Sequence, residues 1–110
     1  MKLPNAESAS VDIRKLRDYC LNSDHPRGKH KARLFSSILG LTDKDAEKLR
    51  SALLRAACNY EAIETMQDQY GKRYVVDFSM KTEKGQAIIR SLWIILVGED
   101  FARLASCYIL

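Results

Sequence analysis

RYVVDFSMKTEKGQAIIRSLWIILV, residues 73–97, indicates two β-strands joined by a tight turn. Its first part alternates apolar with polar residues, which predicts a strand whose buried side carries Tyr74, Val76, Phe78 and Met80. Thr82-Glu83-Lys84-Gly85 is typical of a hairpin turn, with Gly85 where a positive φ is wanted. The second part, AIIRSLWIILV, is apolar on both sides, which predicts a central strand covered on both faces or nearly so.

Helical spacing of apolar residues precedes this hairpin. The three segments that show it are 10–21, 29–39 and 43–58. Ser10 can cap the first helix, and Gly40 can end the second. Thr42 and Asp45 have the spacing of a capping box at the start of the third, although the usual partner is Glu or Gln.

A last strand follows the hairpin, in RLASCYIL at 103–110, whereas EAIETMQD at 61–68 is compatible with either a strand or an irregular segment. Helices therefore come first and an antiparallel meander comes second. We predict an α+β fold, with two or three N-terminal helices packed on one face of a three- to four-stranded antiparallel sheet.

The composition is that of an ordinary soluble domain. A chain of 110 residues predicts a single domain, 1–110, in which residues 1–9 form a loose N-terminal arm. The longest apolar run, at 92–97, is too short to span a bilayer, and we expect no membrane partner. The net charge of +4 mildly favours anionic partners.

The cysteines give no sign of a disulfide framework or a metal site. They are three in number, widely separated and set in apolar patterns: Cys20, Cys58 and Cys107. Buried, reduced thiols in a cytoplasmic protein are the simplest interpretation. No secretory signal, nucleotide-binding loop or metal-binding motif is present, and we expect no cofactor.

HPRGKHKARLF, residues 25–35, places positive charge where the second helix begins. On a helical wheel Lys31 falls in the middle of the apolar arc and His30 at its edge, while Lys29 and Arg33 point to solvent. Cations at a first turn oppose the helix dipole, and a lysine is seldom buried alone. A bound phosphate or carboxylate would remove the conflict, aided by free backbone N–H groups at the helix start.

A structural interpretation of the same residues is equally open. Lys31 can extend its stem over the core and pair with a carboxylate such as Asp24 or Asp68. In that case His25, which Pro26 holds just outside the helix, and His30 are ordinary surface residues.

Polar residues also interrupt the two hairpin strands. If the hairpin closes with a two-residue loop, Asp77 lies opposite Arg90 and can pair with it; with a three-residue loop Asp77 faces Ser91. Alternatively, Arg90 is a second anion contact beside Lys31. Two further side chains, from the last strand, could line that same surface: Ser106 and Tyr108.

Four parts of the chain stand out together: KLRDYCLNSDHPRGKHKARLF at 15–35, the predicted helix after GLT at 40–42, YGKRYVVDF at 70–78 and SLWIILVGEDFARLASCYIL at 91–110. They resemble a family of short uncharacterised bacterial proteins with a domain of unknown function. The resemblance spans about residues 12–110 and implies no established activity. Its signature runs through Lys15, Tyr19, His25, Pro26, Gly28, Lys31, Ala32 and Phe35, with a Trp and then Gly-Glu-Asp near the end. A looser similarity of layout is to toxin ribonucleases of the barnase–colicin–RelE type.

Three functions remain open from the sequence. The first is a binding module for a phosphate-containing ligand or an acidic protein partner, with Lys29, Arg33, Ser91, Ser106 and Tyr108 among its contacts. The second is a metal-independent, toxin-like ribonuclease, which cleaves RNA with His25 or His30 as acid or base and Lys31 and Arg90 stabilising the phosphate. The third is a structural or interaction protein without a ligand.

Overall fold

A computed structural model describes all 110 residues and has the predicted α+β fold. Three helices pack against a sheet. The first, α1, begins as an α-helical turn at Ile13–Lys15 and continues as a π-helical turn at Leu16–Cys20. The second, α2, is α-helical at Lys29–Leu34 and π-helical at Phe35–Leu39. The third, α3, has a 3₁₀ turn at Asp43–Asp45 and an α-helix at Ala46–Asn59.

The sheet is an antiparallel meander in the order β1-β2-β3-β4. Its strands are β1 at Ile63–Asp68, β2 at Gly71–Lys81, β3 at Gln86–Leu96 and β4 at Arg103–Ile109. Residues 61–68, left open by the sequence, therefore contain a strand. The β1 strand pairs only with the first part of β2, up to Val75.

Helix ends follow the predicted signals in two cases out of three. Thr42 and Asp45 form a capping box at the start of α3, and Gly40 ends α2 with a φ of 69°. The prediction of Ser10 as a cap was wrong: the Asp12 carboxylate accepts the Arg14 N–H instead. The Ser10 N–H donates to the Ala102 carbonyl, which ties this segment to the chain just before β4.

The N-terminal residues contribute to the core, although the sequence suggested a loose arm. Leu3 is 3% exposed and belongs to the main cluster of buried side chains. A short 3₁₀ turn follows at Ala6–Ser8. The Met1 carbonyl accepts a hydrogen bond from the Ala62 N–H, so this segment lies beside the start of β1.

One face of the sheet carries the core. The predicted alternation in β2 is confirmed, because Tyr74, Val76, Phe78 and Met80 are all buried. They pack with helical residues such as Phe35 and Leu53. The prediction that β3 is covered on both faces was wrong: Ile88, on the opposite face, is 45% exposed. The helices shield a single face, and the other apolar residues of β3 are shielded only in part, by their neighbours.

The hairpin closes with the two-residue register. Lys81 pairs with Gln86 and Asp77 with Arg90, and the Thr82 N–H donates to the Gly85 carbonyl at 2.8 Å. Gly85 does not have the predicted positive φ, so its role in the turn was assigned wrongly. Glycine is needed there for another reason: a Cβ would lie 2.6 Å from the Ile38 carbonyl oxygen of α2.

Ser91 is the polar residue in this core. Its hydroxyl donates to the Val76 carbonyl at 2.6 Å and accepts from the Trp93 Nε1–H at 2.8 Å. Ser91 is fully buried and Trp93 is 1% exposed. The serine therefore satisfies the indole N–H of the largest core side chain.

We predict that Gly85→Ala destabilises the protein by about 1–3 kcal/mol, because the added methyl group forces the hairpin away from the α2 backbone. Chemical denaturation measures the loss. Glu83→Ala, in the exposed part of the same turn, is the control and should change stability by less than about 0.5 kcal/mol. Equal stabilities for the two variants would contradict the close approach.

We also predict that Ser91→Ala costs about 1–3 kcal/mol, because it leaves the buried Trp93 N–H without an acceptor. Ser79→Ala removes a half-exposed hydroxyl from the neighbouring strand and should be almost neutral. Denaturation together with near-ultraviolet circular dichroism of the single tryptophan tests both variants; wild-type stability in Ser91→Ala would refute the role of the hydroxyl.

Candidate functional site: a cationic helix start beside strand β4

Lys31 lies half-buried at the edge of the sheet rather than inside the core. Its Nζ sits over the ring of Tyr108, 4.8 Å from the ring centroid. It forms no ion pair: Asp68 pairs with Arg73, and Asp24 has no cationic partner. Lys31 therefore pairs with neither Asp24 nor Asp68, although the sequence had allowed either. Its partner is the aromatic face of Tyr108.

The position of Tyr108 follows from the alternation of β4. Cys107 and Ile109 are buried in the core, so Tyr108 points to the other side, where it is the register partner of Arg90. Because β4 is an edge strand, the long Lys31 side chain reaches the Tyr108 ring from α2.

The same strand contains a β-bulge. Leu92 pairs with Ser106 but the next residue, Trp93, pairs with Leu104, so Ala105 is an extra residue. The bulge brings Ala105 and Ser106 to the rim of a cavity of about 300 Å³. We call this cavity the β4-edge pocket; its lining residues are Lys15, Tyr19, Cys20, Ala105 and Ser106.

Cys20 gives the β4-edge pocket an unusual thiol. The neighbouring Cys107 thiol lowers the pKa of Cys20 to about 7 against the opposing effect of burial, and Ser106 and the Lys31 charge also lower it. The same proximity, together with burial, raises the pKa of Cys107. All three cysteines are free, and Cys58 is exposed, contrary to the prediction that every thiol is buried.

His25 closes the turn that leads into α2. Its Nδ1 accepts hydrogen bonds from the N–H groups of Arg27 and Gly28, at 3.0 and 3.1 Å. Its ring meets the Tyr19 ring edge-on, with centroids 4.5 Å apart. Gly28 has no room for a Cβ, which would lie 2.7 Å from the Tyr19 carbonyl oxygen. The Lys29 N–H donates to the His25 carbonyl at 3.0 Å, so three of the N–H groups expected to face an anion are already bonded.

Four cations and one histidine surround this turn without any carboxylate partner. We call them the α2 cationic cluster: Arg27, Lys29, His30, Lys31 and Arg33. Elsewhere the arginines are ion-paired with the exception of Arg55. His30 and Arg33 are exposed and Lys29 is half-buried. The positive charge of this region is therefore open to an external partner.

Arg90 does not belong to the α2 cationic cluster. Its guanidinium donates two hydrogen bonds to the Asp77 carboxylate, at 2.9 and 2.8 Å, on the face of the sheet without helices. The pair lowers the pKa of Asp77 and raises that of Arg90. The Arg90 guanidinium is therefore paired with Asp77, which is one of the two alternatives that the sequence left open. Ser91 does not belong to the cluster either, since both of its hydrogen bonds lie in the core.

The structure therefore brings together some predicted residues and adds others. Lys31 contacts Tyr108 of β4, Ser106 of the same strand lines the β4-edge pocket, and His25 contacts Tyr19 of that pocket. Sequence reasoning missed Lys15, Tyr19 and Cys20 as lining residues; the spacing of Lys15 and Tyr19, one helical turn apart, is the signal that could have suggested them.

No three His, Cys, Asp or Glu side chains lie close enough to hold a metal ion. None of the helices could cross a bilayer.

We predict a coupling free energy of about 0.5–1 kcal/mol between Asp77 and Arg90 at pH 7, because the two side chains are 36% and 37% exposed. A double-mutant cycle with Asp77→Ala and Arg90→Ala measures it. Since the pair lowers the pKa of Asp77, the coupling should be complete above the unfolded value of about 3.9 and disappear only as the pH falls through the lower pKa that Asp77 has in the folded protein. The more exposed Asp12–Arg14 pair is the comparison, and a larger coupling there would contradict this ranking.

Comparisons with known proteins agree with this fold. A family model for a domain of unknown function (DUF6883) matches residues 2–110, whereas no curated protein matches the chain. A chain in the contact-dependent growth inhibition toxin–immunity protein complex from Klebsiella pneumoniae 342 is similar in structure, with a TM-score of 0.72. The two are 16% identical over 94% of this chain and 95% of that chain, a level that supports the fold alone. Since the family model covers nearly every residue, the chain belongs to the DUF6883 family.

Proposed function

We propose that this protein binds a phosphate-containing ligand with the α2 cationic cluster and the β4-edge pocket. The observation that carries the proposal is the Lys31 ammonium, which is half-buried, rests on the Tyr108 ring and has no carboxylate partner. Its charge also acts on the β4-edge pocket, because it helps to lower the pKa of the Cys20 thiol there. The region is therefore electropositive and contains hydroxyl donors in Tyr19 and Ser106.

The energetics favour an external anion. Cations in a first helical turn cost roughly 0.3–1 kcal/mol each through the helix dipole. Lys29 and Lys31 occupy that turn, and no acidic residue offsets them. A phosphate group would accept charge-assisted hydrogen bonds from several of these side chains at once.

A metal-independent ribonuclease is the second candidate. It is favoured by the histidine and tyrosine rings beside the β4-edge pocket and by the fold shared with a chain of a toxin–immunity protein complex. His30 is the better acid–base candidate, because protonation of His25 at Nδ1 would break two backbone hydrogen bonds. Lys31 would stabilise the phosphate. Arg90 would contribute only if Asp77 released it.

The same complex also motivates a protein partner. The structural neighbour comes from an assembly of a toxin with an immunity protein, and an acidic protein partner or inhibitor would suit the α2 cationic cluster here. Such binding would weaken steeply with salt but would not require the pocket.

Isothermal titration calorimetry of inorganic pyrophosphate binding tests the main proposal. Lys31→Met keeps most of the apolar stem and removes the charge, so affinity should fall about tenfold or more, since a hydrogen bond to a charged group contributes about 1.5–3 kcal/mol. Lys31→Arg should retain most of the affinity. Lys72→Met, an exposed lysine on β2, is the control and should bind as the wild type does. Equal affinity in the wild type and Lys31→Met would refute the proposal.

Cleavage of RNA in the presence of EDTA tests the ribonuclease. We expect the wild type to cleave and His30→Ala and Lys31→Ala to lose activity, with circular dichroism as the check on folding. Activity retained in both variants would exclude these roles, and an inactive wild type would exclude the reaction.

A further inference from the structure

A second basic groove lies away from the α2 cationic cluster, between α3 and the end of β2. It encloses about 330 Å³ and is lined by Lys48, Arg55, Tyr60, Phe78 and Lys81, among others. None of its lining residues is acidic. The groove is on the β2 side of the sheet, so it is separate from the β4 edge.

The groove exists because β1 is shorter than β2. Pairing between the two strands ends at Ile63 and Val75, so residues 76–81 of β2 have no neighbouring strand on that side. Helix α3 flanks this free edge. Lys48 and Arg55, seven residues apart, lie on one side of α3 and form its wall toward the groove.

The three cations of the groove are free. Lys48, Arg55 and Lys81 are exposed, and their side chains form neither ion pairs nor hydrogen bonds. Lys48 and Arg55 are two helical turns apart, about 10 Å along the axis. The positive charge is therefore spread along the groove, which suits a polymeric anion better than a single phosphate group.

An aromatic ring borders the same groove. Tyr60 is 41% exposed, and its ring meets the buried Phe78 ring at 62° with centroids 6.0 Å apart. This edge-to-face contact holds the Tyr60 ring in place next to the cations. A fixed, exposed aromatic ring beside a row of cations is the combination by which proteins bind single strands, with bases stacking and phosphates paired.

We infer that the groove between α3 and β2 binds single-stranded nucleic acid, with a base stacked on Tyr60 and phosphates on Lys48, Arg55 and Lys81. The inference does not depend on the proposed function, because it uses none of the same residues. An acidic peptide added to the free edge of β2 is the competing occupant, but it would have no use for the Tyr60 ring.

Fluorescence anisotropy with labelled ten-nucleotide oligo-U and oligo-dT tests the inference on the full chain. Tyr60→Ala should weaken binding about tenfold or more, whereas Tyr60→Phe, which keeps the ring, should stay within about twofold of the wild type.

Charge is tested separately. Arg55→Gln combined with Lys81→Gln should reduce the slope of log affinity against log salt by about 1.4, since each phosphate contact on a single strand contributes about 0.7. Lys44→Gln with Lys72→Gln removes the same charge outside the groove and should leave most of the slope. Lys31→Met should retain Tyr60-dependent binding, which separates this site from the proposed one.

Two results would overturn the inference. The first is wild-type affinity for both strands in Tyr60→Ala and in the Arg55→Gln, Lys81→Gln protein, with folding verified by thermal melting. The second is displacement of the strand by poly-glutamate at equal charge concentration with no effect of Tyr60→Ala, which would assign the groove to an acidic polypeptide.

Discussion

The pairing register of β2 with β3 is the constraint on which both faces of the sheet depend. With Asp77 opposite Arg90, the buried residues of both strands share one face, and the ion pair lies on the other. A shift by one residue would bring Arg90 to the core side of β3. The close contact of Gly85 with the Ile38 carbonyl then fixes the hairpin against α2. The cationic helix start thus has a defined position relative to β4.

Much of the fold could be predicted because it is encoded locally. The alternation in β2, the capping box of Thr42 and Asp45, and the glycine after α2 act within a few residues and appear as expected. Coverage of β3 could not be predicted, since an apolar strand does not reveal whether a second layer exists to cover it. Asp12 replaced Ser10 as a cap because Ser10 is engaged with residues near β4, more than ninety positions away.

The site was predictable only in part, for a similar reason. The helical wheel correctly distinguished Lys31 from its neighbours but placed it among core residues. In the structure its ammonium group lies over the Tyr108 ring of β4 instead. Cys20 and Cys107 are distant in sequence and close in space, so their mutual effect on pKa has no local signal. Both basic regions of the protein combine free cations with a tyrosine ring. This shared chemistry arises from different elements, a helix start against β4 and a helix flank against β2.

The extra residue in β4 has a consequence for how copies of this chain behave at high concentration. A straight strand at the margin of a sheet offers its unpaired backbone groups as a template to another molecule. The distortion at Ala105 interrupts that row of donors and acceptors midway and increases the local twist. At the other margin, β1 is also irregular, because Thr65 is an extra residue between Glu64 and Met66. Both margins of the sheet thus carry a break in the row of unpaired backbone groups, and these breaks oppose fibrous self-association of the molecule.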